Sequence, residues 1–284
     1  MFVEVNGCQI FFDVVGSKLK ANGPVMQEKP TLLLLHGGPG LDHSGFRPAF
    51  DCLEDVAQVV MPDHRGNGRS FSGDSKNWNL DQWADDVKGF CDALGIENPI
   101  VFGHSFGAMV AMKYASKYPD HADKLILAAT FAKFELDAFV KRFADIGGEQ
   151  ARVAAQDFWT QPTPENTEAW TVHGLPHYSR APLDLEEMQR MQMSPEVMVH
   201  FISGEVHEFD LLPLLADVRS PTLLLAGSED PVSSVSDMKT IRDALTQTTT
   251  QYECIDNASH FLWRDAPDVF FGIVRKFVQK DGRT

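Results

Sequence analysis

The sequence predicts an α/β protein in which helices flank a mostly parallel central β-sheet. Residues 31–38, 57–63 and 99–105 form largely apolar runs, which are typical of strands buried on both faces. A segment with helical periodicity, 79–94, separates the second run from the third, and this order implies right-handed crossovers between parallel strands. The apolar residues of that segment recur every three or four positions: Leu80, Trp83, Val87, Phe90 and Leu94.

The remaining segments continue this order on both sides of one long interruption. Asn6-Gly7 separates two strand-like segments and favours the tight turn of an opening β-hairpin. Residues 131–207 contain no comparable apolar run. We therefore predict a core formed by 1–130 and 208–284, with 131–207 as a mainly helical insertion. Further core strands are expected within 122–130, 221–230 and 250–260, and helices after residue 105, near 235–245 and over 267–280.

Composition and charge exclude several classes of function. The 284 residues carry a formal net charge of −15, and an acidic surface repels nucleic acids and anionic membranes. The apolar runs are too short to span a bilayer, and the first residues lack the pattern of a secretion signal. Four cysteines are scattered without a C-x-x-C pair, which favours free, mostly buried thiols in a reducing compartment. We expect a cytoplasmic protein without nucleic-acid or membrane partners, and we find no signal for its oligomeric state.

The segment "GHSFG" places Ser105 between Gly103 and Gly107, after an apolar run and before an alanine-rich stretch. A G-x-S-x-G motif between a buried strand and a helix predicts a nucleophile elbow, a strained turn that exposes the serine hydroxyl. The turn needs glycines on both sides because a side chain there meets the neighbouring backbone. We therefore predict that Ser105 is a catalytic nucleophile.

A nucleophilic serine needs a histidine base and a carboxylate that orients it. On a strand–helix scaffold of this type the acid and then the histidine follow at the ends of later strands. Asp230 and His260 occupy these positions. Glu229 and Asp256 are rival acids, but Glu229 points to the opposite face of its strand and Asp256 lies within the strand before His260. We predict a triad of Ser105, Asp230 and His260.

An acyl-transfer site also needs two backbone N–H groups that stabilise an oxyanion. Phe106, directly after the nucleophile, supplies one, and the loop "HGGPG" at 36–40 supplies the other. Pro39 has no N–H, so Gly38 is the expected donor and Gly40 the alternative.

A second loop, "PDHRGNGRS" at 62–70, predicts a buried interaction between Asp63 and Arg65 that organises it. We place neither residue in the catalytic set. The sequence contains none of the zinc, phosphate-binding or dinucleotide-binding motifs, so we expect no metal and no cofactor.

These motifs make the chain resemble the α/β-hydrolase superfamily over nearly its whole length. "HGGPG" followed by "DHRGNGRS" is most similar to the proline iminopeptidase branch, which releases an N-terminal residue from peptides. The elbow "GHSFG" departs from the G-G-S-W-G of that branch and is common in esterases, lactonases and C–C bond hydrolases. The resemblance implies that 131–207 is a helical cap over the active site.

The resemblance leaves the substrate open. An aminopeptidase of this branch holds the substrate amine with acidic cap residues, and Glu205 and Glu208 are candidates for that role. Trp159 is a candidate for lining an apolar pocket. We expect a serine hydrolase acting on a small molecule or short peptide, first as a proline iminopeptidase-like enzyme. The alternatives are a carboxylic ester hydrolase or lactonase and, third, a non-catalytic ligand-binding member of the fold.

Overall fold

The structure is a computed structural model that describes residues 1–71, 73–182 and 184–280. Its main sheet has eight strands in the order β1-β2-β6-β5-β7-β8-β9-β10. The strands of the structure are β1 Phe2–Val5, β2 Cys8–Val15, β3 Leu19–Asn22, β4 Val25–Glu28, β5 Thr31–Leu35, β6 Gln58–Pro62, β7 Ile100–His104, β8 Lys124–Ala128, β9 Thr222–Gly227 and β10 Thr250–Ile255.

The main sheet is antiparallel at one edge and parallel everywhere else. β2 pairs with β1 and β6 in antiparallel fashion, whereas the pairs from β6 through β5, β7, β8 and β9 to β10 are all parallel. Every residue of β5, β7, β8 and β9 is buried, because helices cover both faces of a parallel sheet. The predicted fold class, α/β with a mostly parallel central sheet, is confirmed.

Helices connect these strands and cover both faces. The helices are α1 Leu80–Leu94, α2 Phe106–Lys117, α3 Leu136–Thr160, α4 Pro164–His173, α5 Leu185–Arg190, α6 Pro195–Ile202, α7 Val235–Ala244, α8 Leu262–Asp265 and α9 Pro267–Gln279. Leu32 and Leu34 of β5 belong to one hydrophobic cluster, and Leu33 and Leu35 belong to the other. The alternation follows from the two-residue period of a strand, so the sheet separates two cores.

Two hairpins lie outside this parallel layer. The predicted opening hairpin is confirmed, since Asn6 and Gly7 adopt φ of 49° and 70° between the paired strands β1 and β2. β3 and β4 form a separate two-stranded sheet, which we did not predict from the sequence. All residues of both strands are exposed, so they carry no alternation of buried and exposed positions.

The segment 131–207, which we call the cap segment, contains α3 to α6, and its described residues add no strand to the main sheet. Gly148 interrupts α3 with a φ of 70°. The two ends of the segment lie side by side, since the Leu211 N–H donates to the carbonyl of Ala132 at 2.8 Å. This contact is compatible with an insertion at 131–207, and the division of the chain into core and cap stays a prediction.

Two further expectations concern membranes and thiols. Within the described residues, no helix has the length and apolar content needed to cross a membrane. All four cysteines are free thiols. Cys8 and Cys91 are buried, whereas Cys52 and Cys254 are exposed, so half of the thiols are buried rather than most of them.

Candidate active site

Ser105 lies on a strained turn between β7 and α2. Its φ of 53° and ψ of −118° are outside the usual regions for a residue with a side chain. An ideal Cβ built on Gly107 would lie 2.1 Å from the Leu35 carbonyl oxygen, and one built on Gly103 would lie 2.5 Å from the Ala108 Cα. Both glycines are therefore required for α2 to approach the sheet this closely.

Asp230 and His260 follow the ends of β9 and β10, and their side chains are joined by a hydrogen bond. The His260 Nδ1 donates to the Asp230 Oδ2 at 2.9 Å, and both side chains are almost fully buried. Asp230 also accepts bonds from the Ser233 hydroxyl and from the N–H groups of Val232 and Ser233. Burial alone raises the pKa of Asp230, but the charge and hydrogen bond of His260, with the bonds from Ser233, hold this pKa below its usual value.

The rival acids lie elsewhere. Glu229 forms an ion pair with Arg180, and its side chain is 45% exposed. Asp256 is exposed just beyond the end of β10. Of the three acids considered from the sequence, Asp230 is the one whose carboxylate contacts His260.

The two predicted oxyanion donors occupy suitable positions. Phe106 is the first residue of α2 and directly follows Ser105, so its N–H has no acceptor within the helix. Gly38 lines the cavity that contains Ser105. Gly40, the alternative donor, is engaged because its N–H donates to the Asn67 Oδ1 at 2.5 Å. The geometry therefore favours Gly38 over Gly40.

His104, directly before Ser105, supports the loop that carries His260. Its Nε2 lies 3.0 Å from the backbone carbonyl oxygen of His260. A carbonyl can only accept, so this bond places the His104 proton on Nε2. Burial and the nearby His260 lower the pKa of His104 to about 3. His104 is thus a neutral donor that holds the main chain of His260.

Ser105 and His260 open into one cavity of about 260 Å³. His36, Gly37 and Gly38 also border it. Its lining includes many aromatic and sulfur-containing side chains from the core and the cap segment, among them Met109, Phe131, Phe158, Trp159, Trp170 and Met198. Such walls are suited to an apolar group of a substrate.

Of the three cap residues that the sequence suggested for substrate binding, one reaches this cavity. Trp159 lines it, with 8% of its surface exposed. Glu205 does not line it, because its carboxylate accepts the Leu80 N–H at the start of α1 at 2.9 Å. Glu208 is exposed and also lies outside the lining. This placement corrects the expectation for Glu205 and Glu208, since Glu205 caps a helix and Glu208 faces solvent.

The predicted pairing of Asp63 with Arg65 is wrong. The Asp63 Oδ1 accepts the His43 Nδ1 at 2.6 Å, and Arg65 donates two bonds of 2.7 Å to Asp86 on α1. Both residues are buried and both help to organise the loop 62–70. Arg65 does so through Asp86, and Asp63 does so through His43 and through the Arg69 N–H within the loop. Asp42 lies beside His43 and Asp63, and its Oδ2 forms an ion pair with the Arg69 Nη1 at 2.7 Å.

The donor atoms of Asp42, His43 and Asp63 lie within 4.8 Å of one another, a spacing that suits a metal ion. Each carboxylate already accepts hydrogen bonds, Asp42 from Arg69 and Asp63 from His43. These bonds already engage oxygen atoms that a metal ion would need as ligands.

Asp265 connects the His260 loop to the cap segment, a role that no sequence motif indicates. Its carboxylate accepts the Ser259 N–H at 2.7 Å and, on the cap side, the Ser179 hydroxyl at 2.7 Å and the Arg180 N–H at 2.9 Å. We call this set of bonds the Asp265 bridge. The neighbouring Tyr178 lies with its ring 4.9 Å from the ring of His260, so a cap side chain contacts the predicted base directly.

A serine on a strained strand–helix turn, followed along the chain by an aspartate and a histidine in hydrogen-bond contact, is the arrangement of α/β hydrolases. The family model of the alpha/beta hydrolase fold matches residues 30–267. The chain belongs to this family, and the protein is a hydrolase.

Relatives within the family differ in activity. A protein of Azorhizobium caulinodans, provisionally named a carbamate hydrolase, is 30% identical over 209 residues, 70% of this chain and 74% of its own length. A proline iminopeptidase of Pestalotiopsis fici is 25% identical over 98% of this chain and 99% of its own. The solved structure of an enol-lactonase from Burkholderia xenovorans superposes with a TM-score of 0.74 at 20% identity, covering 99% and 100% of the two chains. Similarity therefore identifies the family, whereas the substrate has to be inferred from the residues of the site.

Proposed function

We propose that this protein is a serine hydrolase that forms an acyl-enzyme on Ser105 and cleaves carboxylic esters that carry an apolar chain. One observation carries the proposal. Ser105, on its strained turn, opens into the same apolar cavity as His260, which is joined to Asp230 at 2.9 Å. Ser105 as nucleophile and His260 as base thus border a space that an apolar chain of a substrate can fill, and Asp230 holds His260 from behind.

The reaction proceeds in two halves. His260 takes the proton of the Ser105 hydroxyl as the oxygen attacks the ester carbonyl carbon, and Asp230 stabilises the imidazolium that forms. The N–H groups of Gly38 and Phe106 hold the oxyanion of the tetrahedral intermediate. His260 then gives its proton to the leaving alcohol, which leaves the acyl group on Ser105. Water, deprotonated by His260, then attacks the carbonyl carbon of the acyl group. When this second tetrahedral intermediate collapses, His260 returns the proton to the Ser105 oxygen, and the acid and the free serine are released.

The charges around the cavity favour an ester over a peptide with a free N-terminus. An ammonium group buried without a carboxylate partner is costly, so an aminopeptidase needs an unpaired acid in its cavity. Of the acids that line this cavity, Asp42 is held by Arg69 at 2.7 Å, and Glu187 lies 3.6 Å from Arg264. Both carboxylates thus have an arginine beside them, although the contact between Glu187 and Arg264 is longer than a hydrogen bond.

Release of an N-terminal residue is the second candidate. The full-length similarity to a proline iminopeptidase favours it. Glu187 also favours it, because it is an acidic residue of the cap segment that reaches the cavity, as the branch requires. A protein that only binds ligands is the third reading, and it has no need of the triad or of the strain at Ser105.

Parallel assays separate the three candidates. Release of nitrophenol from p-nitrophenyl butyrate and of nitroaniline from proline p-nitroanilide would be measured for the wild type, Ser105→Ala and the matched control Ser236→Ala, an exposed serine of α7. We expect ester turnover in the wild type and the control, and a loss of about 10⁴-fold in Ser105→Ala.

Each other outcome points elsewhere. Turnover of the anilide alone, lost when its amine is acetylated, supports the aminopeptidase. Ester turnover that survives Ser105→Ala refutes the mechanism. Absence of turnover together with failure of an organophosphonate to label Ser105 supports the binding protein.

A further inference from the structure

Arg264 places a guanidinium at the cavity that contains Ser105. It lies in α8, four residues after His260, and lines the cavity beside Phe261 and Trp263. Its side chain is 13% exposed. A permanently charged group is therefore held where water has little access, in a wall that is otherwise largely apolar.

The guanidinium has no hydrogen-bond acceptor among the described residues. The nearest carboxylate oxygen, the Glu187 Oε2, lies 3.6 Å from the Arg264 Nη2, which is too long for a hydrogen bond. One face of the guanidinium lies 5.7 Å from the ring centre of Phe261. By contrast, the buried Arg65 donates two bonds of 2.7 Å to Asp86 and a third to the carbonyl of Asn6. Arg264 thus lacks the partners that another buried arginine of this chain has.

Glu187 is a weak counter-ion for Arg264. Its side chain is also 13% exposed, and no described residue donates a hydrogen bond to its carboxylate. Burial raises the pKa of Glu187, and the charges of Arg264 and Arg190 offset this only in part. Arg190 lies three residues further along the same helix, α5, at a spacing where side chains meet. Arg190 is therefore a second cation near Glu187, so Arg264 is not the sole counter-charge of this carboxylate.

We propose that Arg264 binds a carboxylate group of the substrate, so that preferred substrates are esters carrying a second, ionised carboxyl group. The planar fork of a guanidinium matches the two oxygens of a carboxylate. A substrate carboxylate would supply the hydrogen bonds that Glu187 does not make. This inference rests on the ester hydrolysis proposed above and names the substrate class of the same site.

The test compares anionic with neutral esters of equal chain length. Monomethyl adipate is compared with methyl hexanoate, which places the charge on the acyl part. The glycolate ester of butyric acid is compared with ethyl butyrate, which places the charge on the alcohol part. Proton release at constant pH gives kcat/KM for each, and the readout is the anionic-to-neutral ratio. Partial loss of folded enzyme lowers both rates equally and leaves the ratio unchanged.

We expect a ratio above one in at least one pair, and the pair identifies the side that Arg264 contacts. Arg264→Met should lower this ratio by about 10- to 100-fold, since it removes charge-assisted hydrogen bonds. Glu187→Gln should raise the ratio, because it removes the competing anion. The matched control is Arg242→Met, an exposed arginine of α7, which should not change it. A purely structural ion pair would instead make the Arg264 and Glu187 variants change the ratio equally or not at all, and that result overturns the proposal.

A binding measurement keeps this inference separate from the proposed function. If neither neutral nor anionic ester is turned over, ester hydrolysis is wrong. Calorimetry of Ser105→Ala with monomethyl adipate and with methyl hexanoate still tests Arg264. Tighter binding of the anionic ester, lost in Ser105→Ala with Arg264→Met, supports carboxylate recognition. Equal affinity for both esters refutes it.

Discussion

Replacing Asp230 with asparagine exchanges one carboxylate oxygen for an amide NH2 group, and the surrounding hydrogen bonds determine which oxygen is exchanged. The Asp230 Oδ1 accepts the N–H groups of Val232 and Ser233, at 2.8 and 3.1 Å, so the amide oxygen of an asparagine must stay there. A flipped amide would leave both donors unpaired, at about 1–3 kcal/mol each. The amide nitrogen of the asparagine therefore replaces the Asp230 Oδ2. It faces the His260 Nδ1, which lies 2.9 Å from Oδ2 in the structure.

The amide N–H forces His260 into the wrong tautomer. The Nδ1 must then accept a hydrogen bond, so the ring proton moves to Nε2, the atom that has to take the proton of Ser105. The variant also loses the negative charge that stabilises the imidazolium. The loss of this tautomer in a Ser-His-Asp triad lowers kcat by about 10⁴-fold, which corresponds to about 5.4 kcal/mol in the activation free energy.

The assay is kcat on p-nitrophenyl butyrate at pH 7 for the wild type, Asp230→Asn and Glu229→Gln. Glu229 is the matched control, since it is the neighbouring acid and its side chain is 45% exposed and paired with Arg180. We expect Glu229→Gln to stay within about 3-fold of the wild type, because exposed ion pairs contribute little. If Asp230→Asn kept more than a tenth of the wild-type kcat while folded, the assignment of Asp230 as the orienting acid would be refuted.

Three other predictions concern stability. Gly107→Ala should lower the free energy of unfolding by more than about 3 kcal/mol, because its Cβ would lie 2.1 Å from the Leu35 carbonyl oxygen. Gly272→Ala, where nothing lies within 4 Å, is its control, and equal urea midpoints for the two variants would contradict the packing argument. Lys124→Met should cost about 3 kcal/mol in the same assay, since the buried ammonium of Lys124 donates to the last carbonyls of α9, and an unchanged midpoint would speak against this cap. The pKa of His104 is about 3 in the folded chain and about 6.5 in the unfolded chain, so His104 becomes protonated in the unfolded chain first as the pH falls. Stability should then fall by up to about 1.4 kcal/mol per unit as pH drops from 6.5 toward 3. Urea titrations at pH 7, 6 and 5 check this, and an identical slope in His104→Asn would exclude this residue as its cause.

The elements that the sequence predicted are those with a local physical signature. The strands of the parallel sheet are short apolar runs because both of their faces are covered, and the elbow at Ser105 requires two glycines whatever the remainder of the fold. The order of Asp230 and His260 follows from the topology. These features depend on neighbours along the chain or on one architectural rule.

The features that the sequence missed depend on which groups meet in space. Asp63 and Arg65 are two residues apart and opposite in charge, yet Asp63 pairs with His43 and Arg65 with Asp86. Glu205 is acidic and belongs to the cap segment, but its short turn directs the carboxylate at the start of α1. No pattern along the chain identifies these partners, because several side chains of suitable chemistry compete and only the fold decides which of them meet.

The β3–β4 hairpin illustrates a different limit. Its residues are exposed on both faces, so burial imposes no alternation on them. Periodicity detects a strand through the surface that the strand buries, and a hairpin that buries little leaves only its turn glycine, Gly23, as a signal.

The Asp265 bridge has a consequence for anyone who wishes to exchange cap segments between hydrolases. Residues 177–181 belong to the cap segment by sequence, but the bridge and the bond from the Phe261 N–H to the Tyr178 carbonyl tie them to the loop of His260. A chimera cut at 131 and 207 would replace this support together with the pocket wall. A graft that keeps residues 177–181 and 265 from the recipient, and exchanges only the helices on either side, retains a supported His260 while it changes the shape of the cavity.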